Sequence, residues 1–275
     1  MQPTLGLIYL TFRELWAKKV VLGLFVISSL LLVMVAFALN LDVVDGSLAG
    51  LRLFGQAPGT MEGLSLERLV FGVEAAVAGA TYWLGILLSL FATAPLMVSM
   101  LERGHIDLLI SKPVSRTTLF LSHVTGVWAA VSVLTVYLLG GVWAIMSIKT
   151  GVWNGSFLIS IGLVVVMFGV MYSTVALMGV WTESTALALI VSYGLIFASL
   201  VLAGHEAIVE ELDLVGSTLF RVLYHVLPNF AEVTAIVANL SRAEPVTSWY
   251  PLASSAIFGL VAYVLATWQF SRRDF

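Results

Sequence analysis

Long apolar runs separated by short polar stretches organise this chain. They extend over about Val20 to Leu39, Ala75 to Met100, Leu119 to Ile148, Phe157 to Trp181, Ala186 to Ala203 and Tyr250 to Phe270. Each approaches or exceeds the roughly 20 residues that a helix needs to cross a ~30 Å hydrocarbon layer. The pattern predicts an all-α integral membrane protein with six transmembrane helices in one domain covering residues 1–275. A polar, Gly-rich stretch from Asn40 to Glu74 separates the first two runs.

Weaker patterns flank and interrupt the spans. Leu5, Ile8, Tyr9, Phe12, Leu15 and Trp16 recur at spacings of three and four, with Arg13, Glu14 and Lys18 off that face. This segment is read either as an interfacial elbow helix or as an extension of the first span with basic flanks. Between the fifth and sixth runs, Leu219, Phe220, Leu223, Val226 and Leu227 make one helical stripe, and Val233, Ile236, Val237 and Leu240 another. Pro228 divides them, and Asn229 followed three residues on by Glu232 resembles an N-cap with a supporting acid. Two half-helices are expected over about 214–240. They either dip back into the membrane, shielded by protein or water, or lie as a cap on the headgroups.

Composition strengthens the membrane reading: 60% of the 275 residues are hydrophobic and only 11% charged, against about 25% charged in a soluble domain. With no cysteine, disulfides, Cys-ligated metals and thiol nucleophiles are excluded. A net charge of −3 gives no global basic field for nucleic acid. The first apolar run lacks a small-residue cleavage pattern and is expected to remain as a span.

Six crossings put both termini on one side, and the positive-inside rule selects it. With both ends cytoplasmic, inner segments hold Arg13, Lys18, Lys19, Arg103, Lys112, Arg116, Arg272 and Arg273, and the longer outer segments hold Arg52, Arg68, Lys149, Arg221 and Arg242. Both termini are therefore expected on the cytoplasmic side of the cell inner (plasma) membrane. Trp16, Trp181 and Trp268 would mark the inner interface, and Tyr82, Trp143, Trp153, Trp249 and Tyr250 the outer one. Trp128 fits neither belt and is read as a packed helix contact.

Charge and apolar residues converge most densely between the second and third spans. In Leu101-Glu-Arg-Gly-His-Ile-Asp-Leu-Leu-Ile-Ser-Lys-Pro-Val-Ser-Arg116, the side chains Ile106, Leu109 and Ile110 form a short apolar face. Glu102, Arg103, Asp107, Lys112 and Arg116 supply charges around it, and Pro113 ends the element. A cytoplasmic helix over 102–112 with apolar anchors and a charged rim has the form of a docking element. The other reading is a solvated loop.

This run resembles the first cytoplasmic loop of ABC-2 type transporter permeases through Glu102, Arg103, Asp107, Leu108, Leu109, Ser111, Pro113, Val114, Ser115 and Arg116. The tail Gln269-Phe-Ser-Arg-Arg-Asp-Phe275 resembles the basic-then-Asp ending of that family, which includes a branch associated with multicopper enzyme maturation. The resemblance implies a coupling helix at Glu102, Arg103, His105, Ile106, Asp107, Leu109, Ile110, Lys112, Pro113 and Arg116 that contacts a nucleotide-binding ATPase subunit. A second, smaller contact would be the turn at Thr182, Glu183 and Ser184, unless that is a plain turn with a solvated Glu183. Two ATPase subunits carrying ATP and Mg, a second permease copy (identical or related) and an extracytoplasmic accessory protein are the implied partners. The implied cargo is a lipid, polysaccharide, drug, peptide or maturation factor.

In agreement with ATP being handled on another chain, the sequence contains no Gly-x-x-x-x-Gly-Lys-Ser/Thr run and no dinucleotide-binding glycine pattern. No catalytic, cofactor-binding or metal-ligating set is expected. His205-Glu206 with Glu210 resembles a zinc-protease helix only superficially, lacking the second histidine, and Glu206, Glu210, Glu211 and Asp213 read as an acidic solvated face. His105, His123 and His225 have no ligand spacing. Charges are absent at mid-span, with Glu74 at the entrance to span two, which disfavours an ion-coupled carrier. Gly162, Gly169, Ser173 and Thr174 allow close helix approach in span four, and Met167, Phe168, Met171 and Tyr172 either pack there or line a path. The remaining alternative is a membrane-embedded assembly or maturation factor without an ATPase partner.

Overall fold

Each apolar run is a helix in the computed structural model, which describes residues 6, 13, 19–44, 47–53, 65–101, 115–205, 208–209 and 212–273, with the backbone alone over 38–44 and 47–53. Six described helices are long and apolar enough to cross a membrane. They are α1 (Val20–Ala38), α2 (Leu66–Ser99), α3 (Arg116–Thr150), α4 (Gly155–Thr182), α5 (Thr185–Leu202) and, last in the chain, Tyr250–Arg272. Two shorter apolar helices, α6 (Leu214–Val226) and α7 (Phe230–Ser241), precede that last helix, which is α8. The polar stretch after α1 carries an antiparallel pair, β1 (Leu39–Val44) with β2 (Ser47–Leu53), in register from Leu39 opposite Leu53.

Small polar side chains start the helices by occupying N–H groups that have no intrahelical partner. Ser115 accepts from the Thr118 amide at 3.1 Å, Asn154 from Phe157 at 3.3 Å, Ser184 from Leu187 at 3.3 Å and Asp213 from Gly216 at 2.9 Å. Asp213, expected as part of a solvated acidic face, is thus the cap of α6. Arg116 is the first residue of α3, not part of the preceding loop.

Helix α2 departs most from the sequence reading. It begins at Leu66 behind the cap Ser65, nine residues before the apolar run was read to start. Glu67, Arg68 and Glu74 interrupt hydropathy there without breaking helicity. Thr81–Gly85 widens to a π-helical turn midway. Such turns commonly mark functional sites.

Helix α4 is the centre of the bundle: 72% of its most apolar window is buried, against 17% for α1. Met167, Phe168, Met171 and Tyr172 are all buried in this core, and Phe168 also lines a cavity of about 370 Å³ among α1, α2, α3 and α4. Helix α8 approaches α4 closely at Gly259, where an added Cβ would stand 3.1 Å from Val170 Cα. Helix α1 is peripheral and packs on α3, with Ser29 Oγ 3.2 Å from Tyr137 Oη and the Phe25 and Tyr137 rings stacked. Phe37 and Leu30 point outward, as expected where lipid is the solvent.

Candidate functional site

The two ends of the bundle carry different chemistry. At one end the turn between α6 and α7 is inserted among the long helices. Pro228, Asn229 and Phe230 are all buried. A buried turn needs partners for its backbone; three side chains from three helices supply them, and a fourth holds the Asn229 side chain. Tyr82 of the π turn donates its phenol to the Phe230 carbonyl at 2.7 Å. Ser199 of α5 accepts from the Ala231 amide at 3.1 Å, Ser255 of α8 accepts from the Asn229 amide at 2.9 Å, and Ser254 accepts from Asn229 Nδ2 at 3.0 Å. The Phe230 ring is held by Tyr82 at a centroid distance of 4.5 Å and by the edge of Trp83 at 5.0 Å.

This geometry corrects two expectations. Asn229 occupies the cap position of α7, but its side chain makes no capping bond; it points instead to Ser254 and the Tyr224 carbonyl. Glu232 accepts from Tyr224 Oη at 2.8 Å and lies 3.6 Å from His205 Nδ1, so it joins α6, α7 and the segment after α5. Tyr82 was expected in an interfacial aromatic belt. It is fully buried, because α2 starts two turns earlier and places it at mid-helix.

A second buried polar knot lies at the other end of α7. Asn154, the cap of α4, donates through Nδ2 to Glu74 Oε2 at 2.7 Å and to the Ser241 carbonyl at 2.8 Å, while its own carbonyl accepts from Trp143 Nε1 at 3.0 Å. One residue therefore pins three helices to the start of α4, its side chain holding α2 and α7 and its backbone carbonyl holding α3. Glu74 is fully buried and its Oε1 has no hydrogen-bond partner among the described residues. It lies about 12 Å along α2 from Leu66 at 1.5 Å per residue, beneath the end of α7.

At the opposite end, basic residues gather at Lys19, Arg116, Arg272 and Arg273, with Glu183 among them. Arg273 pairs with Glu183 and donates to the Val180 carbonyl, and Arg116 donates to the Arg273 carbonyl. The last residues of α4, the first of α3 and the chain after α8 are thereby tied together. Glu183 holds a left-handed backbone with φ 52°, a conformation that costs a non-glycine residue roughly 1–2 kcal/mol. The α4–α5 turn is tight, and its exposed Glu183 is ion-paired with Arg273.

Of the residues expected to contact an ATPase subunit, Arg116, Thr182, Glu183 and Ser184 are described, and all four stand at this basic end. Glu102, Arg103, His105, Ile106, Asp107, Leu109, Ile110, Lys112 and Pro113 lie outside the described residues, as do the N-terminal amphipathic face and Glu206, Glu210 and Glu211. His225 Nδ1 is 2.8 Å from Tyr250 Oη, and His123 is buried in α3. Among the described residues no three His, Asp or Glu side chains gather as a metal-holding group. Sequence reasoning missed Tyr82, Asn154, Ser199, Ser254 and Ser255. Ser65 followed by Leu66, Glu67 and Val70 was a legible helix start that would have moved Tyr82 inward. No family model matches the chain, and no curated protein does.

Proposed function

We propose that this chain is the permease subunit of an ABC-2 type transporter: a six-span protein of the inner membrane with cytoplasmic termini, driven by ATP hydrolysed on separate nucleotide-binding subunits. The observation that carries the reading is the Glu102–Arg116 run, which leads straight into the Ser115-capped first turn of α3, where Arg116 donates to the carbonyl of Arg273, itself paired with Glu183. A push on residues 102–114 would reach α3 directly, and α4 and α8 through that ion-paired cluster. Ile106, Leu109 and Ile110 supply the apolar anchors for a soluble partner, and the surrounding charges its orientation. The α6–α7 pair is then an extracytoplasmic re-entrant hairpin seated on Tyr82, and its release from that seat is the candidate outward-opening step.

Co-purification tests the docking claim. The full chain is expected to retain a soluble subunit bearing a phosphate-binding loop, and the triple variant Ile106→Asp/Leu109→Asp/Ile110→Asp to lose it while staying membrane-inserted. Retention by that variant contradicts the proposal.

One observation favours a second reading, an ion-coupled carrier: the buried carboxyl of Glu74, with one oxygen unpartnered among the described residues, is the kind of group that marks proton or cation paths. In vesicles without any ATPase subunit, uptake driven by a pH or sodium gradient and abolished by Glu74→Gln would establish the carrier; no gradient-driven uptake would dismiss it.

A further inference from the structure

A groove lies on the outer side of the bundle between α3 and α8. Its volume is about 610 Å³. Leu121 and Val124 form one wall and Leu260 and Val264 the other, with exposed apolar faces at Leu121, Leu260 and Val264. The floor is built, not incidental. Trp128 lies over Gly169, where an added Cβ would stand 2.8 Å from Trp128 Nε1, and the indole donates to the Val165 carbonyl at 3.1 Å. Tyr263 donates to the Gly169 carbonyl at 2.7 Å, sealing the groove from the core.

Length and charge identify an occupant. From Thr117 to Trp128, α3 rises about 16 Å, half of the ~30 Å hydrocarbon layer. The groove thus has the depth of one leaflet. Its open mouth, at Thr117, Trp268 and Ser271, coincides with the basic end of the bundle. Arg272 stands there exposed, its guanidinium 4.4 Å above the Trp268 ring, and makes no ion pair among the described residues. Arg116 and Arg273, the latter paired with Glu183, lie beside it, so the described residues at the mouth carry more basic than acidic groups. An uncharged lipid would gain nothing from this arrangement.

We propose that the α3–α8 groove is a binding site for an anionic phospholipid of the surrounding leaflet. One acyl chain lies between Leu121, Val124, Leu260 and Val264 down to Trp128, and the phosphate sits at Arg272 beside the Thr117 hydroxyl. Basic pockets between membrane helices hold anionic headgroups by this combination. The lipid wedges α3 against α8 immediately after residues 102–114, so its presence sets the spacing of the helices that receive a push from that segment. The site depends on the helices crossing a membrane and not on any ATPase partner.

Native mass spectrometry of the full chain tests this, after reconstitution in an equimolar mixture of phosphatidylglycerol and phosphatidylcholine and gentle detergent release. The wild type is expected to retain phosphatidylglycerol selectively. Arg272→Gln, a change at an exposed side chain, is expected to lower that preference about fivefold. Thr125→Trp, which fills the groove, is expected to abolish retention, and Ile257→Trp, at an exposed α8 position outside the groove, to leave it unchanged. Equal retention of both lipids, or an unchanged preference in helical, monodisperse Arg272→Gln, overturns the proposal. A smaller subunit count on Thr125→Trp overturns it as well, because the groove would then be an interface between copies.

Discussion

Tyr82 donates its hydroxyl to the backbone carbonyl of Phe230 at 2.7 Å while the two rings lie 4.5 Å apart. A π turn in one long helix thereby seats the turn between two short ones. Tyr82→Phe keeps the ring and leaves the Phe230 carbonyl buried without this donor, which costs about 1–3 kcal/mol. The loss should be local. Hydrogen–deuterium exchange of the amides from Phe230 to Val233 is expected to accelerate, with the α4 core unchanged; equal protection in both proteins would remove the seat from the account.

Asn154 bridges Glu74, the Ser241 carbonyl and the α4 start. Asn154→Leu removes a helix cap, worth about 1 kcal/mol, and strands two buried acceptors, at about 1–3 kcal/mol each. Glu74→Gln preserves an acceptor for Asn154 and is expected to cost far less. Thermal unfolding in detergent should rank Asn154→Leu well below Glu74→Gln, and equal melting temperatures would contradict the bridging role.

Glycines on α4 and α8 separate close approach from mere helix content. Gly259→Ala places a methyl 3.1 Å from Val170 Cα and is expected to destabilise by about 1–3 kcal/mol through overpacking. Gly162→Ala meets nothing within 4 Å and should be neutral or slightly stabilising, since alanine is the better helix former. The check is the monodisperse fraction after heating; the reverse order would show that α8 does not press on α4 at this point.

The Arg273–Glu183 pair is partly exposed, with Glu183 the more open partner, so Glu183→Gln is expected to change stability by less than about 1 kcal/mol. Its effect should appear in coupling. With the ATPase subunit bound, Glu183→Gln is expected to leave binding intact and reduce the rate at which this chain stimulates hydrolysis. A wild-type rate would confine the pair to a structural role.

Much of this architecture was legible because the bilayer forces hydropathy and helix length to agree: six apolar runs became six helices, and Pro228 divides α6 from α7 as its chemistry requires. What escaped was whatever hydropathy misrepresents. Glu67, Arg68 and Glu74 made the first turns of α2 read as a loop, so Tyr82 was placed at an interface. It and Glu74 are buried, because α7 and the cap of α4 cover that side of α2. Serines 199, 254 and 255 carry no local signal that sets them apart from other small residues of the spans. Their role as partners for a buried turn depends on three helices meeting, which no local pattern encodes. The ion pair at Glu183 was likewise invisible, since Arg273 is distant in sequence and adjacent only once α4 and α8 are packed.

The central claim is that force enters at residues 102–116 from an ATP-hydrolysing partner. Its most direct test is the ATPase rate of the co-purified soluble subunit in vesicles, with the wild-type chain and with Ile106→Asp/Leu109→Asp/Ile110→Asp. The account predicts stimulation by the wild-type chain and a basal rate with the variant; equal stimulation by both, or none by either, would contradict it.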